Sequence, residues 1–207
     1  MGSYYYLMAQ LPYLMYDHKP PMSSQKFKEL ALSLLNRSDR VLFKNLAKKY
    51  EANIEDAAFD MPSKKTGCAF IDNWLEWERT LRINIARHRF LHLNDDEGKT
   101  PVSESVEFPE LVEPSDAHDA AAFAFAQDGS PLEGEILLDK ARWNAIDMLT
   151  GNDYFHENNV YAYYLKLLLL ERRQLFDVEK GFSEYKSIYA EILESPHNGQ
   201  NSQGEDK

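Results

Sequence analysis

One cysteine, Cys68, is all the thiol chemistry the sequence contains. An intramolecular disulfide and a cysteine-based zinc site are therefore excluded, and a reducing compartment is the expected home. Cys68 itself reads as a small core residue. Long apolar runs are also missing. Crossing a bilayer takes about 20 apolar residues, and the densest stretch, Leu165 to Leu170, is interrupted by Lys166. The start, Met-Gly-Ser-Tyr-Tyr-Tyr, has neither a basic nor an apolar region, and Tyr6 stands where a myristoylation signal carries Ser or Thr. The expectation is a cytoplasmic chain with no export or lipid signal and no direct membrane insertion. Glycine is sparse and scattered, nine in all, so neither a P-loop nor a dinucleotide fingerprint can be drawn through it. Serine nucleophile elbows and His-Glu-x-x-His zinc helices are absent. The paired Glu-x-x-His helices of a bundle di-iron site are absent too. Neither a catalytic site nor a cofactor is expected.

What the sequence does have is length, acid and helical periodicity. A chain of 207 residues buries roughly 70% of its unfolded surface, enough for one real core. The net charge of −11 argues against nucleic acid as a partner, because that binding is driven by Lys and Arg neutralising phosphates. From Asn94 to Asp119 nine acids (Asp95, Asp96, Glu97, Glu104, Glu107, Glu110, Glu113, Asp116, Asp119) face one base, Lys99, a net of −8 that leaves the remaining chain close to neutral.

The periodic segments predict an all-α, multi-helix bundle-like domain over residues 1–194, an acidic linker at 94–114 and a disordered tail at 195–207. The aromatic arm from Tyr4 to Tyr16 is packed, its helix or strand identity open. Ser23 or Ser24 caps a helix with Phe27, Leu30, Leu34 and Leu35 on one side, ending near Asn36. Ser38 and Asp39 offer the next cap, before Val41, Leu42, Leu46 and Tyr50 at helical spacing. The longest run extends from Cys68 to about Leu93, with Phe70, Trp74, Trp77, Leu81, Asn84, His88 and Leu91 on one face. Ser115 begins an alanine-rich helix, and Ser130, Pro131 and Glu133 form a capping box with proline in the first turn of the next. Gly151 is placed to end it. From about Asn159 to Phe176, leucines cover nearly the whole circumference of a helix, which must be buried on several sides. Gly181 marks a break or bend before Phe182 to Leu193.

Chemistry-bearing residues are few. His88 and His92, four apart on the long helix, form the one metal-like spacing, although two imidazoles need a third ligand from elsewhere. The bland reading places His88 in or near the apolar stripe. Glu78 with Arg82 reads as a helix-surface ion pair, and Arg79, Arg82 and Arg89, clustered toward one side, could instead receive an acidic partner. Asp139 with Arg142, and Lys166 with Glu171 and Arg172, read as internal pairs at the edges of the core. Trp74, Trp77 and Trp143 are core residues or interface anchors.

Several phrases together carry a family resemblance: Tyr4 to Pro12, the entry from Pro20 to Phe27, Phe70-Ile-Asp-Asn-Trp-Leu-Glu-Trp-Glu-Arg-Thr-Leu-Arg82, Leu138-Asp-Lys-Ala-Arg-Trp143, and Tyr164-Leu-Lys-Leu167 through Glu171-Arg172 to Gly181. They resemble a bacterial family of unknown function encoded beside the genes of a V-type ATPase. That family looks like a reduced counterpart of the helical socket of those ATPases, the component that joins the central-stalk shaft to the membrane rotor ring. The resemblance implies a non-catalytic subunit or assembly factor that couples shaft to ring. Its implied partners are central-stalk and rotor-ring subunits, and its implied place is peripheral at the inner membrane. The alternative from the residues is a helical metal-binding protein or enzyme using His88 and His92.

Overall fold

Two short polar side chains set where the first long helices begin. The computed structural model describes residues 4–51, 65–94, 115–125, 131–176 and 178–194. Helix α1 is Tyr5–Ala9, so the aromatic arm opens as a helix. Helix α2 is Ser24–Leu34, capped by Ser23, whose hydroxyl accepts the Lys26 N–H. Helix α3, Arg37–Glu51, starts earlier than Ser38 or Asp39 would allow, because Asn36 is the cap. The Asn36 side-chain Oδ1 accepts the Asp39 N–H at 2.8 Å, and its Nδ2 donates to the Asp39 carboxylate at 2.9 Å. The Asp39 carboxylate thus closes on the cap's side-chain amide, while the Asn36 backbone N–H is left for another acceptor.

The remaining elements are α4 Ala69–Asn94, α5 Ser115–Phe125, α6 Pro131–Thr150, α7 Glu157–Gln174 and α8 Val178–Glu194, with no strand among the described residues. The protein is all-α. Gly151, at φ +80°, ends α6 in the left-handed conformation that glycine adopts without a Cβ penalty. Ser130, the acidic stretch 95–114 and the tail 195–207 lie outside the described residues.

The chain divides into two compact units, Met1–Arg173 and Gln174–Lys207, where the sequence pattern leads to one domain through 194. In the second unit α8 runs without interruption through Gly181, so that glycine is no break. Phe182, Tyr185 and Tyr189 recur on α8 at spacings of three and four, and the Tyr185 and Tyr189 rings stack 6.0 Å apart.

In the first unit the core is built around α7. Val160 to Leu165, Leu167, Leu169 and Leu170 are all buried, so this helix is enclosed on nearly every side, as its leucine content requires. Aromatic rings from three other helices meet it. Phe27 of α2 lies 4.8 Å from Tyr163, Phe43 of α3 lies 5.1 Å from Tyr164, and Phe70 of α4 lies 6.3 Å from Tyr161, centroid to centroid. Offset and edge-on ring pairs of this kind add to the free energy of their area burial. The α3 face that turns inward is Phe43, Leu46 and Ala47, while Val41 is 53% exposed. On α4 the buried face is wider than one stripe and includes Ile71, Leu75 and Ile85, while Leu91 at its far end is 52% exposed.

The N-terminal arm is fastened across this core by hydrogen bonds. The Tyr4 hydroxyl donates to the buried Asp39 carboxylate at 2.5 Å and accepts the Asn36 N–H at 3.2 Å, while the Tyr4 N–H donates to the Phe155 carbonyl at 2.7 Å. Burial and then the Asp39 hydrogen bond push the Tyr4 hydroxyl up to about 12. The Tyr163 hydroxyl donates to the Pro12 carbonyl at 2.9 Å, and Tyr16 to that of Ile136 at 2.9 Å. Tyr4→Phe should therefore destabilise the protein by about 1–2 kcal/mol, because the Asn36 N–H loses its acceptor and Asp39 a donor. Tyr6→Phe, on an exposed ring, should stay within about 0.5 kcal/mol, as read from urea midpoints.

Candidate interaction site

Helix α4 carries two tryptophans three residues apart, which places them on one face of the helix. Their rings stack 5.6 Å apart at 11°. The Trp74 indole N–H donates to the Tyr50 hydroxyl at 2.7 Å, and the Trp77 indole N–H donates to Asp116 at 2.8 Å. The pair thereby ties α4 to α3 on one side and to the first turn of α5 on the other. Trp74, Trp77 and Trp143 are all buried. Trp143 sits under the Lys166 ammonium, 4.5 Å from the ring centroid, with Tyr16 edge-on at 5.6 Å. The three tryptophans are core residues.

From Glu78, one turn beyond Trp74, a chain of charges crosses three helices. One Glu78 oxygen accepts from Arg82 at 3.1 Å and the other from Arg142 of α6 at 3.1 Å. Arg142 reaches on to Asp139 at 2.9 Å, the same Asp139 oxygen accepts from Arg172 of α7 at 2.8 Å, and Arg172 also meets Glu135 at 2.5 Å. Glu78 and Asp139 are buried and Arg142 is partly buried, whereas Arg82 and Arg172 reach toward solvent. Burial alone would favour a neutral Arg142, but Glu78 and Asp139 outweigh it and hold the guanidinium more firmly protonated. Burial pushes the Asp139 carboxyl above the usual carboxylate range against the pull of Arg172 and Arg142, and its second oxygen is buried with no hydrogen-bond partner.

Sequence spacing identified Glu78 with Arg82 and Asp139 with Arg142, and both pairs form. Lys166, Glu171 and Arg172 do not form the cluster their proximity suggests. Lys166 pairs with Asp147, Arg172 joins Asp139 and Glu135, and Glu171 leaves them altogether. The Glu171 carboxylate instead accepts the Ser24 N–H at 2.7 Å and its hydroxyl at 2.5 Å, capping α2 from another helix. Among the described residues Arg79 makes one long, exposed pair, with Glu76 at 3.8 Å. The bonding roles of Glu135, Tyr50 and Asp116 escaped the sequence reading, because their partners lie on other helices and leave no local spacing to find.

His88 is half-buried, stacked on Phe125 at 5.3 Å and 6.4 Å from the His118 ring, while His118 meets the buried Asn84 at 3.3 Å. The His92 side chain lies outside the described residues. Among the described residues no three His, Cys, Asp or Glu converge as metal ligands, and no described helix is long and apolar enough to cross a membrane.

Beside the Trp77–Asp116 bond the surface opens into a groove of about 310 Å³ lined by Asn73, Glu76, Trp77, Asp116, Ala145, Met148 and Leu149. Its floor is apolar, its only charged lining residues are two carboxylates, and Met148 at its lip is 75% exposed. In chemical terms it suits an apolar side chain flanked by a cation. The ionic chain, in contrast, holds its charges against one another.

The chain's energetics give an asymmetry to measure. Glu78→Ala and Arg142→Ala should each cost about 1.5–3 kcal/mol, since each removes one of the two charged partners of a group held inside the helix packing. Half-exposed Arg82→Ala should cost about 0–1 kcal/mol, and Arg79→Ala less than about 0.5. Asp139 adds a pH dependence. A carboxyl raised in the folded state stabilises the fold below its unfolded value, and that contribution is lost as pH rises through the folded one. Relative to Asp139→Asn, the wild type should therefore be most favoured at low pH, with the difference declining upward and then levelling, in urea midpoints from about pH 3 to about pH 7.

No curated protein and no solved structure shows a significant match to the chain. One family model does, described as protein of unknown function (DUF2764), and it matches residues 55–195, well over half of the chain and spanning α4 to α8. The Trp74–Trp77 pair, the ionic chain and the groove all fall within that span, and the chain belongs to this family.

Proposed function

We propose that the protein is a non-catalytic subunit or assembly factor of a V-type ATPase, coupling the central-stalk shaft to the membrane rotor ring, as the resemblance to the helical socket of those ATPases implies. The observation that carries a binding role is the groove beside Trp77. It is concave, apolar-floored and edged by Glu76 and Asp116, a form that suits a partner segment bearing an apolar anchor next to lysine or arginine. The candidate charged residues nearby are engaged with one another, which fits scaffolding better than acid–base work. The acidic sequence from Asn94 to Asp119 would add a longer-range attraction to basic loops of a stalk or ring subunit, screened over about 8 Å at physiological ionic strength. The alternative, metal chemistry at His88 and His92, has less support, because His88 stacks on Phe125.

The protein should co-purify with the central stalk or rotor of a V-type ATPase from native membranes and hydrolyse no ATP alone. Met148→Lys, on an exposed residue of the groove, should weaken that association about tenfold without lowering the melting temperature. A deletion strain that assembles a fully coupled ATPase, together with absence of the protein from the purified complex, rejects the proposal. Stoichiometric zinc in a chelator-washed sample, lost on His88→Ala, would support the alternative instead.

A further inference from the structure

The near-neutral balance of the chain outside its acidic stretch conceals a separation of sign. Residues 18–50 hold eight bases (Lys19, Lys26, Lys28, Arg37, Arg40, Lys44, Lys48, Lys49) against two acids, Glu29 and Asp39, a net of +6 in a chain of net −11. The fold then sorts these charges on α3. At 100° per residue, Arg37, Val41, Lys44 and Lys48 fall within about 60° of one another on the side opposite Phe43 and Leu46, and all four are exposed. The acid inside the helix, Asp39, is turned the other way, occupied by Tyr4 and Asn36. The other acid, Glu51, falls on the same side three residues beyond Lys48, at the last position of the helix, so the run of cations is bounded there. No carboxylate among the described residues pairs with Arg37, Lys44 or Lys48. An ordinary solvated helix face mixes both signs at i, i+4 spacing, whereas none of Arg37, Lys44 and Lys48 has an acid four residues before or after it within the helix.

We propose that this face of α3 is a docking surface for an acidic segment of a partner protein, one carrying carboxylates at helical spacing around a small apolar side chain. The three cations span about 16 Å at 1.5 Å per residue, and Val41, 53% exposed between them, offers an apolar contact that a phosphate backbone would not use. Polyanions of large extent fit poorly. Nucleic-acid binders commonly neutralise about 6–10 phosphates, and a duplex or an anionic bilayer would run beyond the three cations into the field of a chain that is otherwise strongly acidic. A short acidic peptide avoids that repulsion, since charges more than about 8–10 Å away are screened. The surface is separate from the groove at Trp77 and opposite to it in sign, so the first unit presents one site for a basic segment and another for an acidic one.

The test is fluorescence anisotropy with a labelled helical peptide bearing four glutamates at i, i+4 spacing and one leucine between them. An oligonucleotide and phosphatidylserine vesicles serve as competing probes. The peptide should bind the full chain, with affinity falling steadily between about 50 mM and about 200 mM salt. K44E/K48E should weaken it about tenfold, because two attractive pairs become repulsive, and V41S should weaken it less. Should K44E/K48E misfold by circular dichroism, K44Q/K48Q provides the same comparison. Met148→Lys should leave peptide binding intact, which separates this surface from the groove. Equal binding by wild type and the charge variants overturns the proposal. So does absence of peptide binding, or tighter binding of the oligonucleotide or vesicles through Lys44 and Lys48.

Discussion

The arrangement of α4, α6 and α7 depends on the buried ionic chain from Glu78 through Arg142 and Asp139 to Arg172. Transferring a charge out of water carries a penalty of several kcal/mol even after relaxation, so these groups are tolerable only in the register that brings them together. Sliding α6 along α4 by one turn, about 5.4 Å, would part Glu78 from Arg142 and leave both charged in the core. Apolar packing alone penalises such a slip weakly, because leucine and alanine faces resemble one another from turn to turn. The ionic chain contributes specificity of register more than net stability.

Around that fixed register the aromatic residues supply area and direction. Tyr161, Tyr163 and Tyr164 put broad rings on three sides of α7, and Phe27, Phe43 and Phe70 close on them from α2, α3 and α4. Tyrosine suits this role because its body is apolar and its hydroxyl can reach a polar partner at the edge of the core. The Tyr163 hydroxyl does so at Pro12, and those of Tyr4 and Tyr16 do so at Asp39 and Ile136. The N-terminal arm is thereby part of the core although its helix has only five residues.

Function in this architecture resides in what the core leaves outside. The tryptophans that looked like interface anchors are interior, and the arginines that looked available are mostly paired. Two features of opposite character remain on the first unit, the acid-edged groove at Trp77 and the basic outer face of α3. Opposite signs on separate faces would discriminate between partners through both attraction and repulsion, as the proposed binding role requires.

The sequence by itself determined the helical class, because the 3.6-residue recurrence of Phe70, Trp74, Trp77 and Leu81, or of Phe27, Leu30 and Leu34, is a property of neighbours along the chain. It determined the local ion pairs for the same reason, Glu78 with Arg82 at four residues and Asp139 with Arg142 at three. It determined the enclosure of α7, whose leucines and tyrosines leave no face polar enough for water. Tertiary structure decided what depends on separation in the chain. Glu171 caps α2 from 147 residues away, Asp116 takes the Trp77 indole from 39, and Arg172 joins Asp139 from 33, and no periodicity encodes such distances. Structure also decided the direction of charge: Asp39 faces inward and Lys44 outward because the rotation of α3 is set by which of its faces Phe43 and Leu46 bury, and only then does the positive balance of residues 18–50 become a basic surface.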